Sequence, residues 1–100
     1  MNYSKDDYVY MAWKRKHAFQ KIADELGKEH PVTKMMGTLA WGRHAGEHGP
    51  DFGLREAIYE MAFLDGFFEV LNLWTRDNDG KAQRVMLEHY PRGYESAKPK

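Results

Sequence analysis

The sequence contains no cysteine, which excludes a disulfide framework, a thiolate metal site and a cysteine nucleophile. No stretch alternates apolar and polar residues with β-branched enrichment, so no strand is predicted. No apolar run approaches the roughly 20 residues that span a bilayer, and no signal peptide is visible. Basic and acidic residues balance at 15 each, so no overall field attracts nucleic acid or an anionic membrane. These absences favour a helical protein without a membrane span.

The length of 100 residues indicates one domain. Hydrophobic residues make up 42% of the chain and charged residues 30%, which is ordinary for a globular protein and argues against disorder. We expect residues 1–91 to form a single helical domain and residues 92–100 to form a flexible polar tail.

The longest proline-free part of the chain contains residues 54–74, which we predict to be the central helix. Apolar residues recur there at alternating spacings of three and four, which places them on one side of a helix. Further apolar residues widen the stripe, so cover on more than one side is expected. The stripe consists of Leu54, Ala57, Met61, Leu64, Phe68 and Leu71, widened by Ile58, Ala62, Phe67 and Trp74.

A first helix is predicted over about residues 5–26. Ser4 and Asp7 have the spacing of a capping box, in which each side chain binds the backbone N–H of the other residue. Gly27 is a typical C-terminal stop. Lys14 and its basic neighbours are expected to point mostly away from the core.

Two shorter helices complete the predicted fold. Pro31 suits the first turn of a helix that ends near Ala45. The central helix is expected to end at Arg76, before a turn over residues 77–80, and the last helix covers about residues 81–90. The predicted fold class is therefore all-α, a small bundle of three main helices plus a short C-terminal helix. In the last helix, the side chains expected to point toward the core are those of Ala82, Val85, Met86 and Tyr90.

Charge is unevenly distributed along the balanced sequence. Residues 1–34 carry seven basic and five acidic side chains, residues 35–75 carry two and six, and residues 76–100 carry six and four. An acidic middle between basic ends suits self-association or pairing within the chain. The alternative is random variation of the surface.

Asp65 and Gly66 conflict with their position, because both residue types disfavour a helix interior. Such conflicts are expected where packing or function requires them. We predict that Gly66 lets another helix approach closely, and that Asp65 pairs with a basic group, such as Arg43 or Arg84, or faces a partner. The alternative is an exposed aspartate beside a packing glycine. The predicted interaction residues are Asp65, Gly66, Phe67, Trp74 and Trp41.

The best nucleic-acid candidate lies in the first helix, where Trp13 precedes Lys14, Arg15 and Lys16. Basic side chains neutralise phosphates, and aromatic side chains stack on bases. The alternative is a solvated helix face with no ligand.

His44 and His48 match the letters of the inverted zincin signature, in which two imidazoles bind a metal and a glutamate activates water. Gly46 lies inside the motif, and Gly49 and Pro50 follow it, so a polar loop is favoured over the helix that the chemistry needs. No cofactor is predicted.

Residues 77–80 resemble part of a calcium-binding loop. Thr75 and Met86 stand where an EF-hand needs aspartate and glutamate, so we interpret the segment as a helix-capping turn.

Residues 62–71 resemble the terminal helix of small Bbp19-like phage proteins, in which an Ala-Phe pair, an acidic residue and a glycine precede an aliphatic run. The similarity extends over roughly residues 19–74. The family pattern has an arginine soon after the glycine, where this chain has Phe67 and Phe68. The resemblance implies a tailed-phage product linked to the virion or its assembly, without enzyme activity.

We therefore expect a non-enzymatic structural or accessory protein of phage type, located in the virion or the host cytoplasm. It would act through protein–protein contacts, as a homo-oligomer or in virion assembly. Six Tyr, three Trp, five Phe and six Met are more large apolar side chains than so small a bundle easily buries. The alternatives are a nucleic-acid-binding accessory protein that uses the basic face of helix 1, and a metal-dependent hydrolase built on His44 and His48.

Overall fold

The computed structural model describes residues 3–37 and 53–98. Of these residues, 79% are helical, and none of them forms a strand. The prediction of a small all-α bundle is confirmed. The helices, numbered in chain order, are α1 (Lys5–Leu26), α2 (Pro31–Met35), α3 (Leu54–Asn78) and α4 (Gly80–His89).

Helix α1 has the predicted bounds and the predicted capping box. The backbone N–H of Asp7 donates to Ser4 Oγ at 3.2 Å, and the backbone N–H of Ser4 donates to Asp7 Oδ2 at 3.1 Å. The two bonds satisfy N–H groups that the first turn of a helix leaves without partners. At the other end, Gly27 has φ +94° and donates its N–H to the carbonyl of Ala23. That positive φ favours glycine over any other residue.

Helix α2 begins at Pro31, as predicted. The side chain of His30 caps it, with Nδ1 accepting a hydrogen bond from the N–H of Val32 at 3.0 Å. Val32 is buried and joins the common core. The predicted continuation of this helix toward Ala45 lies outside the described residues.

The junction between α3 and α4 is tighter than predicted. Helix α3 passes Arg76 and continues to Asn78, and α4 begins at Gly80. Asp79 alone has an extended backbone, and its Oδ1 accepts a hydrogen bond from Ala82 N at 3.1 Å. The predicted four-residue turn is therefore a single capping residue. The carboxylate of Asp79 caps α4 by itself, because it accepts a hydrogen bond from a backbone N–H group of the first turn.

Helices α1, α3 and α4 enclose the core, and α2 packs against α1. All four residues predicted to point inward from the last helix are buried. Five of the six stripe residues of α3 are buried as well, and the exception is Leu54, the first residue of the helix, which is exposed. The core consists of Met11, Ala12, Phe19, Ile22, Val32, Met36, Met61, Leu64, Phe67, Phe68, Leu71, Ala82, Val85, Met86 and Tyr90.

The segment after α4 returns along α1. Asp7 Oδ1 accepts hydrogen bonds from Ala97 N at 2.6 Å and from Ser96 Oγ at 3.0 Å. The N–H of Glu95 lies 3.2 Å from Met11 Sδ. The same carboxylate thus caps α1 and binds the C-terminal segment. The flexible tail expected over residues 92–100 stays a prediction about motion, while these contacts show that residues 95–97 lie against α1.

Candidate interaction surface

Arg15 is buried at the centre of the molecule, with 3% of its surface exposed. Its Nη2 donates to the carbonyl of Gly93 at 2.7 Å. Its Nε lies 2.8 Å from Asp65 Oδ1, but the N–H is not aimed at that oxygen, so this contact is an ion pair without a good hydrogen bond. The guanidinium carbon also lies 5.5 Å and 5.6 Å from the ring centres of Tyr90 and Tyr94. One cation therefore joins α1, α3 and the C-terminal segment.

The hydroxyl of Tyr90 donates to the same Asp65 oxygen. Burial raises the pKa of the Tyr90 phenol, and the hydrogen bond to the carboxylate raises it further. The phenol therefore stays neutral and remains a donor at physiological pH. The ring of Tyr90 stacks on Phe68 with a centroid separation of 4.1 Å. Tyr90 therefore belongs both to the polar contacts around Asp65 and to the apolar core.

The structure corrects the expected surroundings of Arg15 and Asp65. Asp65 does pair with a basic group, but the group is Arg15, not Arg84, and Arg43 lies outside the described residues. Arg15 was expected on an exposed basic face, because two lysines flank it. Its spacing from Met11, Ala18 and Ile22 places it on their side of α1, and all three are buried. That register was the sequence signal for a buried arginine.

The other residues of the nucleic-acid candidate make contacts within the chain. Lys14 forms an ion pair with Glu95, and this contact raises the pKa of Lys14 and lowers that of Glu95. Lys16 Nζ lies 5.0 Å from the ring centre of Trp13, which stacks on His17 at 5.6 Å. The expected row of three exposed cations is thus reduced by the burial of Arg15. Binding of nucleic acid stays a prediction.

The side of α3 that points away from the core exposes several large apolar side chains. Four of its large side chains leave between 45% and 61% of their surface uncovered. Their spacings of four, seven and three residues keep them on one side of the helix. We define the outer face of α3 as Tyr59, Ala62, Phe63, Gly66, Val70 and Leu73.

Gly66 lies at the centre of this outer face. A Cβ atom built at Gly66 would meet no atom of the described residues within 4 Å. The prediction that another helix of the same chain packs on Gly66 is therefore not supported by the described part of the monomer. The alternative of close approach by a second molecule stays a prediction.

The remaining predicted interaction residues occupy different environments. Phe67 is buried, and its ring meets that of Phe19 edge-on at 5.9 Å, so we leave it out of the surface. Asp65 is likewise engaged inside the fold. Trp74 lies at the edge of the outer face with 36% exposure. Trp41, and the metal candidates His44 and His48, lie outside the described residues.

No group of three or more potential metal-ligating side chains occurs within residues 3–37 and 53–98. Within the same ranges, no helix has the length and apolar character needed to cross a membrane.

Comparison of the chain with protein-family models, curated proteins and solved structures gave no match.

Proposed function

We propose that this protein acts without catalysis, through protein–protein contact, and that the outer face of α3 is the contact surface. The observation that carries this proposal is the exposure of Tyr59, Phe63, Val70 and Leu73 on one side of one helix. Contiguous apolar surface of this kind is uncommon on monomeric proteins and usually marks an interaction site. Large apolar and aromatic side chains are also those that dominate interface cores.

The polar contacts of Asp65 support a contact role over a catalytic one. Asp65 and Arg15 neutralise each other, and the phenol of Tyr90 is held as a donor to Asp65. These three groups are occupied in holding the bundle together. They fix the orientation of α3 from one side, so the opposite side is presented on a rigid support.

A role as a structural or accessory component of a tailed phage, in the virion or the host cytoplasm, is the more specific form of this proposal. It is supported by the resemblance of residues 62–71 to Bbp19-like phage proteins. Mass spectrometry of particles purified from the producing cells tests it. Finding the chain at a fixed ratio to the other particle proteins supports a virion component, and its absence from particles and from their assembly intermediates contradicts it.

Site-specific photo-crosslinking tests the contact surface itself. A photoreactive phenylalanine derivative is placed at Tyr59 or at Leu73, and a control probe is placed at Leu87, an exposed apolar residue of α4. We expect both outer-face probes to crosslink a discrete protein in the producing cells, identified by mass spectrometry, and the control probe to crosslink much less. Equal or absent crosslinking from all three positions would contradict the proposal.

A further inference from the structure

The residues of the outer face of α3 are arranged symmetrically about Gly66, and this arrangement indicates which partner the face fits. An α-helix turns by about 100° per residue, so positions seven and eleven residues from Gly66 return to within about 20° of its direction. Tyr59 and Leu73 are seven residues from Gly66 on either side, and Arg55 and Asp77 are eleven residues away. Apolar residues thus occupy both inner positions, while the outer positions carry opposite charges.

We propose that a second copy of this chain packs antiparallel across the outer face of α3, with the two-fold axis at Gly66. This inference rests on the proposed contact role of that face. The axis places Gly66 opposite Gly66 of the second copy and Tyr59 opposite Leu73 of the second copy. Ala62 lies opposite Val70 in the same way, since each is four residues from the axis. Four of the apolar residues of the face are therefore covered in pairs, whereas Phe63, three residues from the axis, lies opposite Glu69 of the second copy.

Charge complementarity selects the antiparallel direction. In this register Arg55 faces Asp77 of the second copy, and the symmetry repeats the pair at the other end of the interface. A parallel arrangement would place Arg55 against Arg55 and Asp77 against Asp77, and such like-charge contacts are unfavourable. Antiparallel helices also place the positive end of one helix dipole beside the negative end of the other.

Both charged residues are available for these pairs. Arg55 is exposed, and its guanidinium lies 5.9 Å from the ring centre of Tyr59, on the outer face itself. Asp77 is exposed, and Arg76 Nε contacts its Oδ1 at 3.4 Å, a long contact that leaves the other carboxylate oxygen open to a second arginine.

The position of Gly66 fits a two-fold axis. Two copies of the same residue meet at such an axis, so a large side chain there would collide with itself or hold the helices apart. Gly66 is exposed and its would-be Cβ points into space that no described residue fills. With no side chain on either copy, the two backbones approach closely. The large residues on either side then interlock around the contact.

Cysteine crosslinking tests the register, and the chain has no cysteine of its own to interfere. In the antiparallel dimer, Tyr59 and its own symmetry copy are separated by 14 residues of helix, or about 21 Å. A disulfide needs Cα atoms within about 7 Å. We expect the double variant Tyr59→Cys/Leu73→Cys to form covalent dimers rapidly under mild oxidation, while each single variant forms them at least about tenfold more slowly. Single variants that crosslink as fast as the double variant would overturn the antiparallel register.

A charge-swap experiment tests the same register without cysteines. Light scattering after size exclusion should show a mass approaching twice the 11.7 kDa of one chain as the concentration rises. Arg55→Asp or Asp77→Arg alone should raise the dimer dissociation constant about tenfold, because each creates two like-charge contacts. The combined swap should restore it. Arg84→Asp, the same charge reversal on α4, is the matched control and should leave the dissociation constant unchanged.

Two outcomes separate this inference from the proposed function. A chain that remains at 11.7 kDa at every concentration, or a charge swap that restores nothing, overturns the antiparallel dimer. If the photo-crosslinking probes then still capture a different protein from both Tyr59 and Leu73, the contact role of the outer face stands and its occupant is that protein. If they capture nothing, both proposals fail.

Discussion

At the middle of α3, a polar side chain takes part in the contact with α1, while apolar side chains are exposed on the outer face. Asp65 contacts the buried Arg15, and the next residue, about 100° further around the helix, is the exposed Gly66 between the exposed apolar residues of the outer face. A buried ion pair is weak evidence for stability, because desolvation offsets much of its attraction. It does fix one orientation of the helix. One side of α3 therefore positions the helix within the bundle, and the other side is the surface that we propose as the contact site for a partner.

Replacing one phenylalanine on each side tests this comparison with the largest expected effect. Phe68 is 3% exposed and stacks on Tyr90, whereas Phe63 is 45% exposed. Phe68→Ala should lower the free energy of unfolding by about 3–5 kcal/mol, because it leaves a cavity in the core. Phe63→Ala should lower it by less than about 1 kcal/mol in the monomer. Urea denaturation at low protein concentration measures both, and equal losses would show that the outer face is covered within the chain.

Removing Asp65 tests the buried ion pair. Asp65→Ala leaves the Arg15 cation without its carboxylate, which costs about 3–5 kcal/mol for a fully buried pair. The Asp65 side chain is 36% exposed, so water screens part of the loss and we expect about 2–3 kcal/mol. Asp24→Ala, an exposed aspartate of α1, is the control and should stay within about 0.5 kcal/mol.

The double variant Arg15→Met/Asp65→Leu sharpens the same test. If the pair acts mainly by fixing orientation, replacing both charges with apolar groups should cost less than the sum of the single variants Arg15→Met and Asp65→Leu. Additive losses would mean that the two side chains stabilise the fold independently of each other.

Gly66→Ala is expected to change stability and association in opposite directions. The added methyl group meets no described residue within 4 Å, and alanine costs less backbone entropy in a helix, so the monomer should gain about 0.5–1 kcal/mol. The antiparallel dimer should weaken, because two methyl groups meet at its axis. Denaturation of the dilute protein measures the first effect and light scattering measures the second. Ala62→Gly, on the same face, is the reciprocal control and should destabilise the monomer by about the same amount.

Local signals predicted the helices and much of the core, but not the contacts between distant segments. The capping box at Ser4 and the inward residues of α4 follow from spacing alone, because each depends on a few neighbouring residues. The burial of Arg15 depends on Asp65 and Gly93, which are 50 and 78 residues further along the chain. The local spacing places Arg15 on the buried side of α1, but no local pattern identifies these two distant partners. At Gly66 the residue type leaves two interpretations open, because an interior glycine suits both a tight contact with a second molecule and an exposed position without one.

The attachment of the C-terminal segment to Asp7 gives the smallest expected effect, which depends on pH. Hydrogen bonds from the backbone N–H of Ala97, and next from that of Ser4, hold the pKa of Asp7 below its ordinary value of 3.8. A carboxyl whose pKa is depressed by folding contributes stability that is fully present above its unfolded pKa. That contribution is lost as the pH falls through the folded pKa.

The variant Asp7→Asn removes this contribution at all pH values. Wild type should therefore be more stable than Asp7→Asn at neutral pH, and the difference should shrink as the pH falls below 3.8. Denaturation curves of both proteins across that range measure it. Asp6→Asn, an exposed position in the same helical turn, is the matched control. A difference between wild type and Asp7→Asn that grows on acidification would have the wrong sign. It would mean that the bonds from Ser96 and Ala97 do not favour the ionised carboxylate, and that the C-terminal segment is held to α1 by its other contacts.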